Sequence, residues 1–178
     1  GHFELPCLNL FNPAVRSYLF DVIRFWVDEF DIDGIRLDCA NVLDFNFMKE
    51  MRQETARMKE DFWLMGEVIH GDYSRWVNPQ MLHSVTNYEL HKSLYSGFND
   101  HNFFEIAHNV RRLEAIGRQL YTFVDNHDED RIASKLKLKE HLIPIYLCLF
   151  TLPGIPSIYY GGEWGVEGKR NKIGRAHV

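Results

Sequence analysis

Three short stretches of this 178-residue chain place acids where proton or group transfer could be done. The first is Arg36-Leu37-Asp38, near the end of the apolar run Ile35 to Cys39. In a strand the period of two sets Arg36 and Asp38 on one face, where a guanidinium lowers the carboxyl pKa and keeps it ionised. An ionised carboxylate can serve as a nucleophile or stabilise positive charge; a structural salt bridge is the simpler reading of the pair taken alone. The second stretch, Phe62 to Gly66, delivers Glu67 from so apolar a run that its desolvation should hold a proton, as a general acid requires. A solvated loop glutamate is the alternative. The third, Val124-Asp125-Asn126-His127-Asp128, packs two acids, an amide and an imidazole into five residues, more than loop polarity explains.

Elements able to position these groups are readable in the hydrophobic pattern. Asn12-Pro13 is a helix opening, an N-cap followed by proline at the first helical position. Val15, Leu19, Ile23, Trp26, Val27 and Phe30 then recur at three- and four-residue steps, and Trp26 and Phe30 are expected in the core. A second helix is expected from about Asp44 to Glu60 with Phe47, Met48 and Met51 on one side, a third around His101 to Arg118, and a fourth from Glu140 to Leu152 with Pro144 in its first turn. Between them lie five apolar runs: Ile35 to Cys39, Phe62 to Val68, Leu82 to Tyr88, Tyr121 to Asn126 and Ile155 to Tyr160. Strands apolar throughout and separated by helices imply an α/β fold with a parallel sheet, whose reactive groups stand at the carboxyl ends of the strands. Asp38, Glu67 and Asp128 each end a different strand, so parallel strands would bring them to one mouth. Two carboxylates flanking a glycosidic bond, one protonated and one ionised, are the minimum for glycosyl transfer, and a third can stabilise the oxocarbenium-like charge.

Composition narrows the alternatives. Hydrophobic residues make up 46% and charged residues 25%, as in ordinary globular proteins. The net charge is −5, and Lys169, Arg170, Lys172 and Arg175 crowd the last ten residues, so the rest is more acidic still. A nucleic-acid partner is therefore disfavoured. No stretch approaches the about 18 apolar residues of a membrane span, and no membrane role is expected. Cys7, Cys39 and Cys148, odd in number and set among apolar residues, read as buried thiols. Nothing resembles a signal peptide, which leaves the compartment open with the cytoplasm the favoured reading.

The motifs resemble those of the α-amylase superfamily of glycoside hydrolases and transglycosidases. DGIRLDCAN (residues 33–41) is similar to its nucleophile motif, Gly66-Glu67-Val68 to its acid/base motif, and FVDNHD (residues 123–128) to the motif of its transition-state aspartate. GIPSIYYG (residues 154–161) resembles the family's eighth barrel strand, and LPCLN (residues 5–9) the short motif before its fourth. The resemblance implies Asp38 as nucleophile, Glu67 as acid/base and Asp128 as stabiliser, with Arg36, His127 and Asn41 binding substrate. It implies a retaining hydrolase of α-glucosidic bonds in starch-type glucans or maltooligosaccharides, needing no redox cofactor. The fold it implies is a partial (β/α)8 TIM barrel holding strands four to eight, residues 1–172 forming the C-terminal portion of the catalytic domain. A whole barrel takes about 250 residues, and five strands leave two raw edges, so the isolated chain is expected to be poorly folded and inactive. Residues 173–178 (IGRAHV) break the pattern and read as a non-native tail without function.

Departures from the family bear on substrate. Asn41 and Val42 stand where many α-amylases carry a Lys-His pair, three and four residues after the nucleophile, and Cys39-Ala40-Asn41 looks more like the neopullulanase and cyclomaltodextrinase branch. Val42 and Cys7 stand where calcium-dependent relatives have histidine and aspartate ligands, so that calcium site is not expected. His70 and Trp76 follow Glu67 in a polar loop and, like Trp164, could meet sugar rings; loop packing is the alternative for each. Transglycosylation, α-1,6 cleavage or a non-catalytic binding module of the same fold remain open readings, the last weakened because all three carboxylates are present.

Overall fold

The computed structural model describes residues 6–170; Leu5 of the LPCLN motif and the tail at 173–178 lie outside them. Two compact units form, one from residues up to Glu67 with Tyr73–Val85, the other from Val68–Asp72 and residues from Thr86 onward.

The first unit opens with α1 (Pro13–Phe30), started by Asn12, whose side chain accepts the Ala14 N–H at 2.9 Å, and closed by Asp31 in the left-handed region. Strand β1 (Gly34–Leu37) follows, then α2 (Phe45–Met58), capped by Asp44 through the Phe47 N–H at 2.8 Å, β2 (Trp63–Gly66) and β3 (Ser84–Val85). All three strands are parallel in the order β1-β2-β3, and Leu37 pairs with Gly66. Helix α1 packs on α2 through stacked Phe20 and Phe47 rings, 5.5 Å apart, with Ile23, Met48 and Met51 buried as the spacing predicts.

The α1 stripe is wider than the surface it meets. Trp26 and Phe30, expected in the core, are exposed at 43% and 67%. Trp26 lines an open apolar groove with Leu19, Val22, Ile35 and Leu37 instead. The cysteine expectation also fails: Cys7 and Cys39 are exposed and Cys148 half-buried, all free thiols. Cys7 and Cys39 fall outside regular elements, and Cys148 lies on the flank of its helix beside buried Leu149.

The second unit holds α3 (Tyr88–Asp100), α4 (Phe104–Arg112), β4 (Tyr121–Thr122), α5 (Ile132–Lys135), α6 (Leu142–Thr151) and β5 (Ile155–Pro156). Strands β4 and β5 pair in parallel, and Thr86 forms a parallel bridge with Tyr121. Leu90, Leu94, Phe98, Ile106, Ile145 and Leu149 are among its core residues. Helix α3 does not follow from the strand assigned to 82–88; Asn87 ends that run and caps the helix by accepting the Leu90 N–H. The helix expected over His101–Arg118 is shorter, ending at Arg112 before a 3-10 turn at Gly117–Gln119. Among the described residues no helix is long and apolar enough to cross a membrane.

Gly66 is a packing requirement beside Glu67. A Cβ there would sit 2.6 Å from Leu82 Cδ1 and 2.7 Å from Ala40 Cβ. Gly66→Ala should lower stability by about 1–3 kcal/mol through overpacking. Urea unfolding of the intact protein tests this, with Gly117→Ala as control, since a Cβ there meets only Pro153 at 3.6 Å.

Candidate active site

Adjacent parallel strands carry two of the expected acids. Because Leu37 and Gly66 are register partners, Asp38 and Glu67 leave neighbouring strand ends together, tied by the Glu67 N–H to Leu37 O bond at 2.8 Å. Arg36 spans them: Nη1 lies 2.9 Å from Asp38 Oδ1 and Nη2 3.2 Å from Glu67 Oε2. Glu67 Oε2 also accepts the Cys39 N–H at 3.2 Å. Cys39 itself stands at φ 45°, a left-handed conformation that costs a non-glycine residue about 1–2 kcal/mol and that clusters at functional sites.

The two acids differ sharply in setting, since the Asp38 side chain is 73% exposed and that of Glu67 only 8%. The Arg36 hydrogen bond is the main cause holding the Asp38 carboxyl below its ordinary range, against partial desolvation. Desolvation and the neighbouring Asp38 charge push the Cys39 thiol up, which keeps it protonated and a poor nucleophile. Among the described residues Asp38, Cys39 and Glu67 bring ligand-type atoms within 4.8 Å of one another. Arg36 already contacts both carboxylates and supplies the positive charge there. For calcium the side chains at the positions in question do not fit: that of Val42 has no donor atom, and that of Cys7 offers sulfur to a cation that prefers oxygen.

In the second unit the segment after β4 divides inward from outward. Asp125 is 2% exposed, and its Oδ2 accepts the Ile132 N–H at 2.8 Å, tying it to the start of α5; burial pushes its pKa up. Asn126 Oδ1 accepts the Asp128 N–H at 2.9 Å. His127 and Asp128 face solvent, with His127 Nε2 3.1 Å from Asp128 Oδ2 and Arg170 Nη2 3.3 Å from Oδ1. Sequence reasoning missed Arg170, and no local spacing announces a contact 42 residues away. It missed also the group formed by Glu129, His91 and Lys135. Contact with His91, then with Lys135, pulls the Glu129 carboxyl down to about 2.

The remaining candidates separate by burial. Asn41 is exposed on the 3-10 turn Ala40–Val42 that follows Asp38. His70 is exposed and lines a second-unit pocket of about 310 Å³ with Tyr88, Tyr95 and Lys92. Trp76 is a correction: it is 5% exposed, packed at 6.1 Å from the Phe45 ring with the Arg75 guanidinium 5.5 Å over its own, so its face is not open to a sugar. Trp164 is 82% exposed.

Comparison with known proteins shows the family. The family profile described as Alpha amylase, catalytic domain matches residues 1–177. An intracellular maltogenic amylase of Bacillus subtilis is 32% identical over 97% of the chain, and neopullulanase 2 of Thermoactinomyces vulgaris 34% over 92%. The chain spans about 30% of the length of these curated relatives. Among solved structures, an Anoxybacillus α-amylase superposes with a TM-score of 0.85 at 33% identity, covering 94% of this chain and 40% of that one. A cyclic α-maltosyl-(1→6)-maltose hydrolase of Arthrobacter globiformis, solved with maltose, gives 0.83 at 28% over 93% of this chain and 39% of its own. The alpha-amylase catalytic domain is a TIM-barrel fold, and this chain belongs to that family as a part of that domain.

Proposed function

We propose that the intact protein is a retaining glycoside hydrolase of α-glucosidic bonds in starch-type glucans or maltooligosaccharides. The observation that carries this is Arg36 joining exposed Asp38 to buried Glu67 at neighbouring parallel strand ends. Such a pair sets an exposed, ionised carboxylate beside a second, sheltered carboxyl, the two acids that the double-displacement route needs. Glu67 protonates the departing oxygen, Asp38 attacks the anomeric carbon to give a covalent glycosyl-aspartate, and Glu67 then takes a proton from the water that releases the sugar. Asp128 stabilises the developing positive charge, and His127, Arg36 and Asn41 hold the ring. The family membership and the matching motifs support those roles. On the same reading, residues 1–172 are the C-terminal portion of the catalytic barrel with strands four to eight, residues 173–178 lie outside it, and the chain by itself is inactive.

Incubating the intact protein with starch, pullulan and cyclodextrin and resolving the products tests the proposal. Release of α-configured short maltooligosaccharides is expected. Inverted products, or no turnover of any α-glucan, would refute it. Predominant formation of longer or cyclic glucans would favour transglycosylation by the same residues.

A further inference from the structure

Resting on the role just proposed for Asp128, we infer that Asn126 and Tyr88 form a positioning pair that sets this aspartate. Asn126 is held at both ends of its amide. Its Oδ1 accepts the backbone N–H of Asp128 at 2.9 Å, the short turn that asparagine makes two residues on. Its Nδ2 donates to Tyr88 Oη at 3.0 Å. Rotation of the side chain would break both bonds together.

The Tyr88 end is itself well anchored. Tyr88 is 8% exposed and is the first residue of α3, a helix whose start is fixed by Asn87. Its ring meets Phe123 edge-on at 5.0 Å and His91 at 6.3 Å. A frame of packed rings thus reaches the backbone of Asp128 through one amide, whose nitrogen donates to the tyrosine hydroxyl while its oxygen accepts the Asp128 N–H. His127 lies inside the same turn, so its contact with Asp128 is set by the same device. Asn126 and Tyr88 act on the reaction through Asp128. Displacing a reacting group by about 1 Å can cost about 100-fold in rate, which gives the pair its leverage.

The test uses kinetics of the intact protein on maltooligosaccharide, with thermal midpoints for every variant. Asn126→Ala should lower kcat by about 10- to 100-fold with little change in KM or midpoint. Tyr88→Phe, which keeps the ring packing and removes the hydroxyl, should lower kcat less, and Asn126→Ala/Tyr88→Phe should be no slower than Asn126→Ala alone. Asn126→Ser, which can still accept the Asp128 N–H, should recover part of the loss. Wild-type kcat in Asn126→Ala, or independent multiplication of the two effects in the double variant, would overturn the inference. Should Asn126→Ala fail to fold, an unchanged kcat in Tyr88→Phe overturns it and a reduced kcat at unchanged midpoint supports it. Asp128→Asn separates this from the underlying role: an inactive Asp128→Asn beside a fully active Asn126→Ala removes only the positioning pair, whereas an active Asp128→Asn removes the role of Asp128 and the inference with it.

Discussion

Asp38→Asn in the intact protein is expected to lower kcat on starch by about 10⁴-fold or more, the scale on which loss of a covalent nucleophile acts. The amide keeps the shape of the side chain and a hydrogen-bond acceptor for Arg36, so the change removes the negative charge with little repacking. Glu67→Gln should cost about 10²- to 10⁴-fold, the range of general acid catalysis, and should cost less on substrates whose leaving group needs no proton. An activated aryl maltoside and a plain maltooligosaccharide, assayed side by side, therefore distinguish the two roles. Asp38→Asn should be inactive on both, whereas Glu67→Gln should retain its first step on the aryl substrate. Equal losses on both substrates in Glu67→Gln would contradict its assignment as the proton donor.

How far this arrangement was legible beforehand depends on the range of the interaction. The Arg36–Asp38 pair needs only the two-residue period of a strand, and its 2.9 Å contact follows from adjacent sequence. The second contact, from Arg36 to Glu67, depends on β1 and β2 pairing in parallel with Leu37 opposite Gly66, a register no local pattern specifies. The burial of Glu67 was readable because Trp63-Leu64-Met65-Gly66 is apolar, and residues 64–67 are all buried. Helix α3 was not read because its signals conflict: Leu90, Leu94 and Phe98 recur at four-residue steps, but Val85 and Thr86 favour a strand and Gly97 weakens a helix. Trp76 and Trp26 exchanged fates for a tertiary reason. Trp76 gains Phe45, 31 residues earlier in the chain, as a neighbour within its unit, whereas α1 carries more apolar surface than its unit covers. Residue type alone announced neither outcome.

Arg36→Gln should produce the other large effect, and its form is diagnostic because one guanidinium serves two acids of opposite duty. In the wild type the Arg36 hydrogen bond holds the Asp38 carboxyl below its ordinary range, so Asp38 stays ionised to lower pH. Without it the Asp38 pKa rises, the carboxylate is lost earlier as pH falls, and the acid limb of kcat/KM moves to higher pH. The same sign holds for folding. A carboxyl whose folded pKa is depressed contributes stability above its unfolded pKa and loses it as pH falls through the folded value, so Arg36→Gln removes that contribution near neutrality and flattens this part of the acid dependence. At the same time Glu67, with its side chain 8% exposed, loses a charged neighbour and faces Asp38 without the cation between them. At neutral pH kcat/KM should fall by about 10²- to 10³-fold, as when one donor that stabilises developing charge is removed. Arg36→Lys should fall between the two, because a single ammonium cannot hold both oxygens with the fork of a guanidinium. A pH profile of kcat/KM for the three proteins checks this. An acid limb unmoved in Arg36→Gln would show that Asp38 does not owe its ionisation to Arg36, and the division of labour between the two acids would need another cause.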